Sequence, residues 1–331
     1  MIKKISKSSV FLQGLLTWPR DKRPVLVLVA WSTRMNIRTL QTIIHFFEKD
    51  HRIFLILPNP LLWVPFLMYL YPYRSVSLLP GPFLGARGRK ILVTDGVAPG
   101  NHVKRLRLVK QYDSTKVFIP YIRNPDYCWL YPFDVNPLGK DRPGLVFFAG
   151  NVNPQFYGSQ RFEKHYQMPN RLSVYRILCD QQNAVQGVWF DEKKPDHRGR
   201  LFIHTLGETS LNAKRYTQYL AQFRFVICAP GVSMPLCHNL IEAMEAGCVP
   251  IFSYPEWLPP GLTNGVNCLV YKTTGDLVNL LHQLPEISSD AWRQMQIRLA
   301  DYLRYKYQSM ADNWRDVSEL YVINEEKDMF R

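Results

Sequence analysis

The sequence lacks the short motifs that reveal a tightly bound cofactor or metal. It contains no Gly-x-Gly-x-x-Gly, no Gly-x4-Gly-Lys-Ser/Thr and no His-Glu-x-x-His, which argues against dinucleotide, P-loop and zinc-protease classes. It also has no Asp-x-Asp, a carboxylate pair that would hold a metal on a diphosphate. Low-complexity tracts are absent, so disordered, collagen-like and coiled-coil classes are excluded. We therefore expect a globular protein without a bound metal or cofactor.

Paired cysteines and long apolar runs are also missing. The six cysteines form no Cys-x-x-Cys pair and no zinc-type spacing with histidine, so buried, reduced thiols are expected. The uncharged segment 60–73 has 14 residues and three prolines, whereas a membrane span needs about 20 residues. A buried helix fits it better than an apolar face that enters a membrane interface. The N-terminus shows no secretion signal, so a cytoplasmic protein is expected.

Positive charge is concentrated in the first part of the chain. Residues 1–140 carry 21 Lys/Arg against 7 Asp/Glu, whereas residues 141–331 carry 20 of each. A basic half favours an anionic surface such as phospholipid, lipid-linked phosphate or nucleic acid. The alternative is a basic surface that only keeps the protein soluble. No recognition motif or basic repeat favours nucleic acid.

Apolar periodicity predicts an α/β series in the first half. Continuous apolar runs are typical of parallel strands buried on both faces, and apolar residues three and four apart indicate a helix. The predicted strands are Val25–Ala30, Ile53–Leu57, Val76–Leu79, Ile91–Thr94 and Val117–Ile122, with helices from Ile37 to Phe47 and at Val103–Lys110.

A second α/β series follows a Pro/Gly/Asp-rich stretch at 136–144, which predicts domains of 1–140 and 141–331. Its predicted strands are Leu145–Ala149, Val188–Phe190, Leu201–Thr205, Phe225–Cys228, Val249–Ser253 and Cys268–Tyr271, with helices at 170–180, 212–222, 236–246 and 275–283. The last 40 or so residues are predicted to form one or two amphipathic helices. Doubly wound α/β units are the simplest interpretation.

Residues 223–251 carry the densest signal. They predict a strand, a Pro-Gly turn, a helix stopped by glycine, and a second strand. Pro235 suits the first turn of that helix and Gly247 its C-terminal end. The turn would lie at the carboxyl end of a parallel strand, where backbone N–H groups and the helix dipole suit a phosphate. His238 and Glu242 would share a helix face.

This segment resembles the C-terminal signature of exostosin-like glycosyltransferases. The resemblance rests on Phe-x-x-Cys-x-Pro-Gly, residues 225–231, and on Glu-Ala-x-x-x-Gly-Cys-Val-Pro, residues 242–250. Leu145–Gly150 and Arg171 with Leu172 resemble further parts of such enzymes in the same order. Residues 264–270 resemble the nucleotide-side loop of related retaining transferases. The resemblance covers roughly residues 145–283. It implies a two-Rossmann-domain (GT-B) fold, with domains facing each other across a cleft, C-terminal helices packing back across it, and an acceptor-binding N-terminal half.

The resemblance also implies a donor site for a nucleotide sugar. In such enzymes a glutamate at the position of Glu242 takes the ribose hydroxyls, which suits a carboxylate; the alternative is a solvated helix residue. Asn239 stands where the family has arginine, and Met234 where retaining relatives have a second glutamate. Diphosphate charge must then be met by turn amides around Gly231, by His238, or by arginines. The expected donor-site residues are Gly150, Arg161, Arg171, Pro230, Gly231, Asn239 and Glu242.

Two catalytic candidates follow. Asp95 comes directly after a predicted strand and is the candidate base that takes the acceptor proton; His102 and Asp126 are alternatives. Asp95 with Gly96 is equally typical of a simple turn. His238 is the candidate that meets the charge of the leaving phosphate.

The sequence therefore predicts a metal-independent glycosyltransferase of the hexosyltransferase type. The expected acceptor is a lipid-linked saccharide or polysaccharide of surface glycan or lipopolysaccharide assembly, and the expected location is the inner membrane face. The departures at Asn239 and Met234 leave a non-catalytic saccharide-binding protein or scaffold open. They also leave open a donor with one phosphate.

Overall fold

The computed structural model describes most of the second half of the chain and separate segments of the first. The described residues are 25–29, 37–48, 50–56, 76–77, 91–94, 103–109, 112–121, 141–205, 213–232, 234–307, 309 and 311–323. They form two compact units. The first contains the described residues up to 121 together with 311–323, and the second contains those from 141 to 309.

Strands and helices alternate through much of the second unit, and the described part of the first unit has six strands and one helix. The strands are β1 (Val25–Val29), β2 (Arg52–Ile56), β3 (Val76–Ser77), β4 (Ile91–Thr94), β5 (Val103–Val109), β6 (Gly144–Gly150), β7 (Ala184–Gln186), β8 (Leu201–Thr205), β9 (Phe223–Ile227), β10 (Val249–Phe252), β11 (Leu269–Val270) and β12 (Glu319–Ile323). The helices are α1 (Ile37–Glu48), α2 (Pro154–Tyr157), α3 (Gln160–Tyr166), α4 (Arg171–Cys179), α5 (Ala213–Leu220), α6 (His238–Glu245), α7 (Thr274–Gln283) and α8 (Ser289–Tyr302).

The first unit is a parallel sheet in the order β3-β2-β1-β4-β5-β12. This is the 3-2-1-4-5-6 order of a Rossmann sheet, whose direction of winding reverses between β1 and β4. Its described core includes Leu26, Ile53 and Val93 from the strands. Helix α1 buries Leu40, Ile43, Ile44 and Phe47, the periodic residues that predicted it.

The prediction of a helix at Val103–Lys110 is wrong, because residues 103–109 form β5. Arg105 and Arg107 are exposed while Leu106 between them is buried, which is the two-residue alternation of a strand. The closely spaced charges suggested a solvated helix because charge alone does not reveal the period. Strand β5 pairs with β4 on one side and with β12 on the other.

The C-terminal segment corrects the predicted domain boundary. Helix α8 confirms the first part of the predicted amphipathic stretch, but 311–316 form turns and β12 follows. Leu320 lies opposite Leu106 in the first sheet, and the ring of Trp314 packs edge-on against Phe47 at 4.9 Å. Residues 311–323 thus belong to the first unit, since Leu320 and Val322 alternate as strand residues rather than following a helical stripe.

The second unit is also a parallel sheet, in the order β7-β8-β6-β9-β10-β11. Its predicted helices agree with α4, α5, α6 and α7 within two residues at each end. The strand predicted at Val188–Phe190 is wrong: β7 ends at Gln186, because Gly187 takes a positive φ of 66° that interrupts the strand. The chain therefore contains two Rossmann-like units.

Among the described residues, no helix has the length and apolarity needed to cross a membrane. The five described cysteines form no disulfide; Cys228, Cys248 and Cys268 are buried, and Cys179 and Cys237 are half-buried. The segment 60–73 lies outside the described residues.

Candidate functional site

The candidate site lies at the carboxyl edge of the second sheet, between β6 and β9. Strand β6 starts this sheet; β7 and β8 lie on one side of it, whereas β9, β10 and β11 lie on the other. The winding therefore reverses between β6 and β9, and open α/β sheets bind ligands in the crevice outside such a reversal. Strand β6 ends at Gly150, and β9 leads into residues 228–237, which we call the β9–α6 loop. Most of the predicted donor-site residues lie here.

Two buried side chains hold the first three carbonyl groups of the β9–α6 loop. The hydroxyl of Tyr254, just after β10, donates to the carbonyl of Cys228 at 3.2 Å. Arg171 Nη2 donates to the carbonyl of Ala229 at 3.3 Å, and its Nε donates to that of Pro230 at 2.9 Å. With three consecutive carbonyls bound by groups from two other elements, the first part of this loop is fixed in place by the fold.

Arg171 is the centre of this arrangement, although it is only 5% exposed. Its Nη2 also donates to Cys237 Sγ at 3.0 Å, and its guanidinium lies 4.4 Å from the ring centroid of Tyr157. A Cβ on Gly150 would approach Arg171 Nη1 to 3.3 Å, so a side chain at the end of β6 would require the Arg171 guanidinium to shift by a few tenths of an ångström. The expectation that Arg171 meets a diphosphate stays a prediction, since here its guanidinium contacts protein groups.

The N-terminus of α4 places Arg171 in this position. Asn170 caps the helix, because its side chain accepts from the Ser173 N–H at 2.8 Å. Glu163 accepts from the Asn170 N–H at 3.0 Å and from the Ser173 hydroxyl at 2.7 Å. A carboxylate at a helix N-terminus also stabilises the helix dipole. The chain therefore enters α4 in one direction, and its first residue points at the loop.

Gly231 shapes the middle of the β9–α6 loop. Its N–H donates to the carbonyl of Pro235 at 3.2 Å, and a Cβ on it would meet the carbonyl oxygen of Met234 at 2.7 Å. The prediction that Pro235 lies in the first helical turn is wrong, since α6 begins at His238. The reason is this backbone bond, which closes a turn before the helix begins. The Gly231 amide, one of the expected phosphate donors, is therefore already used.

Helix α6 begins without a side-chain cap. Cys237 occupies the capping position but makes no capping hydrogen bond, and the first turn contains no acidic residue. His238 is the first helical residue and is half-buried. The helix ends at Glu245, and Gly247 follows with a φ of 70°, which confirms the predicted glycine stop.

The buried face of α6 carries two polar side chains. Glu242 is 5% exposed and Asn239 is 8% exposed. They are three residues apart and so lie on the same face. The alternative that Glu242 is a solvated surface residue is therefore wrong, and its proposed contact with ribose stays a prediction. Glu245, at the C-terminal end of α6, is half-buried.

Cys228, the first residue of the β9–α6 loop, packs against α6. Burial raises the pKa of the Cys228 thiol well above its usual value, and the charges of Cys237 and Glu242 contribute in the same direction. Its Sγ donates to the Asn239 carbonyl at 3.6 Å, which packs α6 against the end of β9. The Asn239 side chain is different, because its Oδ1 is buried and has no hydrogen-bond partner.

The remaining predicted residues are Arg161 and the catalytic candidates of the first half. Arg161 is exposed on α3. Asp95, His102 and Asp126 lie outside the described residues, although Asp95 directly follows β4 in the sequence. In the part of the chain that the structure describes, no group of three or more His, Cys, Asp or Glu residues is arranged to hold a metal.

Sequence reasoning missed Tyr157 and Cys237 as parts of this site. Tyr157 could have been found from its position in a short helix, Pro154–Tyr157, directly after the strand that carries Gly150. Cys237 carried no local signal, because its contact with Arg171 joins positions 66 residues apart. The arrangement combines a fixed loop, a helix N-terminus without a side-chain cap, and a buried carboxylate beside a buried amide. Such groups can bind a polar ligand that carries both hydroxyl groups and negative charge.

No protein-family model matches the sequence, and no curated protein matches it either. The solved structures to which the fold is similar include glycosyltransferases. One is a glycosyltransferase from Rickettsia africae ESF-5, with 9% identity over 89% of this chain and 97% of that chain and a TM-score of 0.49. Another is HepE from Anabaena in complex with UDP and glucose, with 9% identity, 89% and 98% coverage and a TM-score of 0.42. At these values the fold assignment depends on the strand order described above.

Proposed function

We propose that this protein is a glycosyltransferase that moves a sugar from a nucleotide-sugar donor to a saccharide acceptor. The observation that carries the proposal is that Gly150, Arg171 and Pro230 come together where the second sheet reverses, and that α6, which carries Glu242 on its buried face, packs there against the end of β9. These residues are far apart in the sequence and belong to the set expected from the exostosin-like signature. Their grouping supports one donor site in the second unit.

Each part of the site has a role in this proposal. Glu242 accepts hydrogen bonds from the ribose hydroxyls of the donor. The β9–α6 loop and the N-terminus of α6 face the phosphates, where the helix dipole and His238 stabilise negative charge on the leaving group. Arg171 positions this loop through its bonds to the carbonyls of Ala229 and Pro230. We include metal independence in the proposal because the sequence has no Asp-x-Asp.

The first unit supplies the acceptor side in this proposal. Asp95 follows β4 and is the proposed base that takes the proton of the acceptor hydroxyl. The excess of basic residues in 1–140 supports a lipid-linked or polysaccharide acceptor at an anionic membrane, as in surface glycan assembly. The proposed location is accordingly the cytoplasmic face of that membrane.

The donor site is tested by thermal unfolding of the protein with UDP, GDP, ADP, CMP and dTDP. A ligand at 100 times its dissociation constant stabilises by about 2.7 kcal/mol, which corresponds to a rise of about 5–11 °C in the Tm of a unit of this size. One nucleotide is expected to produce this rise, and Glu242→Gln is expected to abolish it. Glu245→Gln, on the same helix, is the matched control and is expected to keep it. An equal rise in Tm with both variants would show that Glu242 does not contact the nucleotide.

Asn239 favours one alternative function. A neutral amide stands where the family signature has arginine, which fits a saccharide-binding or scaffold protein that has lost the donor site. That function predicts no rise in Tm with any of the five nucleotides. A rise that depends on Glu242 would exclude it.

A further inference from the structure

The side chain of Asn239 has an unmet bonding requirement. Its Oδ1 is buried and has no hydrogen-bond partner, and the residue as a whole is 8% exposed. Buried polar atoms nearly always have a partner, and leaving one without is costly. This unpartnered oxygen belongs to a residue on the same face of α6 as Glu242. An unpartnered atom in this place indicates a partner that arrives with the ligand.

The chemistry of the neighbours defines that partner. Asn239 Oδ1 is an acceptor, so the missing group must donate an N–H or an O–H. Glu242 does not supply it, because Asn239 Oδ1 has no hydrogen-bond partner among the protein groups. A fully ionised phosphate oxygen cannot supply it either, because such an oxygen only accepts. The ligand group that faces Asn239 is therefore a donor, which separates it from the phosphate that an arginine at this position would hold.

We infer that Asn239 and Glu242 form a two-acceptor pair for the vicinal hydroxyls of a ribose, with one hydroxyl donated to each side chain. Their places three residues apart put their Cβ atoms about 5–6 Å apart, so two adjacent hydroxyls can reach both. The inference rests on the proposed function, since it takes the ribose to be that of the donor nucleotide. Asn239 is then a specificity-determining residue for ribonucleotides over deoxyribonucleotides.

The test measures nucleotide affinity by calorimetry in full-length wild-type, Asn239→Leu and Asn239→Asp proteins. The probes are UDP, GDP and ADP, each with its 2′-deoxy and 3′-deoxy forms. Asn239→Leu removes the acceptor and is expected to weaken the ribonucleotide about tenfold. Asn239→Asp keeps an acceptor oxygen and is expected to stay within about threefold of wild type. For one of the two deoxy forms, Asn239→Leu should cause no further loss of affinity, because that form lacks the hydroxyl that Asn239 contacts.

Three results would overturn the inference while leaving the proposed function intact. If the deoxy forms bind wild-type protein as tightly as the ribonucleotides, the two ribose hydroxyls are not contacted by Asn239 and Glu242. Loss of binding in Asn239→Asp but not in Asn239→Leu would show that a phosphate faces this position. Unchanged affinity in both variants would show that only a buried water meets Asn239 Oδ1. Wild-type protein that binds no nucleotide would overturn the pair and the proposed function together. The comparison of ribonucleotides with their deoxy forms uses only wild-type protein, so it does not depend on whether a variant folds.

Discussion

Replacing Arg171 by methionine tests whether this residue braces the β9–α6 loop. The change removes the bonds to the carbonyls of Ala229 and Pro230 and the contact with the Tyr157 ring. A hydrogen bond to a charged group contributes about 1.5–3 kcal/mol, and a cation–π contact about 0.5–2 kcal/mol. Methionine keeps much of the packing and avoids burying a charge, which offsets part of the loss.

We therefore expect Arg171→Met to lower the free energy of unfolding by a net amount of about 3 kcal/mol, because two buried carbonyls lose their donors. For a unit of roughly 150–250 residues this corresponds to a fall of about 6–12 °C in Tm. Thermal unfolding followed by circular dichroism measures it. Arg176→Met is the matched control, since Arg176 is exposed on the same helix, and it should change stability by less than about 0.5 kcal/mol.

Arg171→Lys separates charge from geometry. Lysine keeps the positive charge but cannot present two donors in a planar fork to neighbouring carbonyls, so most of the loss should remain. A Tm in Arg171→Lys equal to that of wild type would show that the two bonds from Arg171 to the loop carbonyls do not stabilise the protein. So would an Arg171→Met protein with unchanged Tm and lost nucleotide binding, which would instead make Arg171 a direct phosphate ligand, as the sequence resemblance implies.

Two further predictions concern the loop and the basic half of the chain. Gly231→Ala would bring a Cβ to 2.7 Å from a backbone carbonyl oxygen, so it should lower the free energy of unfolding by about 1–3 kcal/mol. Gly275→Ala is the control, because a Cβ at this position in the first turn of α7 has its nearest atom at 3.7 Å. It should be neutral or stabilising in the same unfolding assay. The protein should bind anionic vesicles at low salt and dissociate at high salt in a sedimentation assay; equal binding to neutral vesicles would contradict the electrostatic part of the proposed function.

Local sequence patterns predicted many of the elements. Strands such as β4 and β8 were found at their observed bounds because parallel strands buried on both faces are continuous apolar runs. The errors arose where charge hid the period, as in β5, or where one glycine ended a strand early, as after β7. The stop of α6 at Gly247 was predictable because a positive φ after a helix is a local property of the backbone.

Part of the candidate site was also predictable. Glu242 and the Pro-Gly turn lie within one continuous segment, so their spacing is visible in the sequence. The bonds of Arg171 to a loop about 60 residues later were not visible, and neither was its use of Cys237 as an acceptor. Long-range contacts of this kind depend on which strands become neighbours, and hydrophobic periodicity does not encode that choice.

The sequence by itself determined the alternation of strands and helices, the basic first half and the glutamate of α6. Only the tertiary structure decided that β12 completes the first sheet, since its apolar alternation fits many partners and pairing with β5 selects one. Only the tertiary structure also left Asn239 Oδ1 buried without a partner. Residue type defines what a group can bind, whereas packing decides whether the protein or a ligand provides the partner.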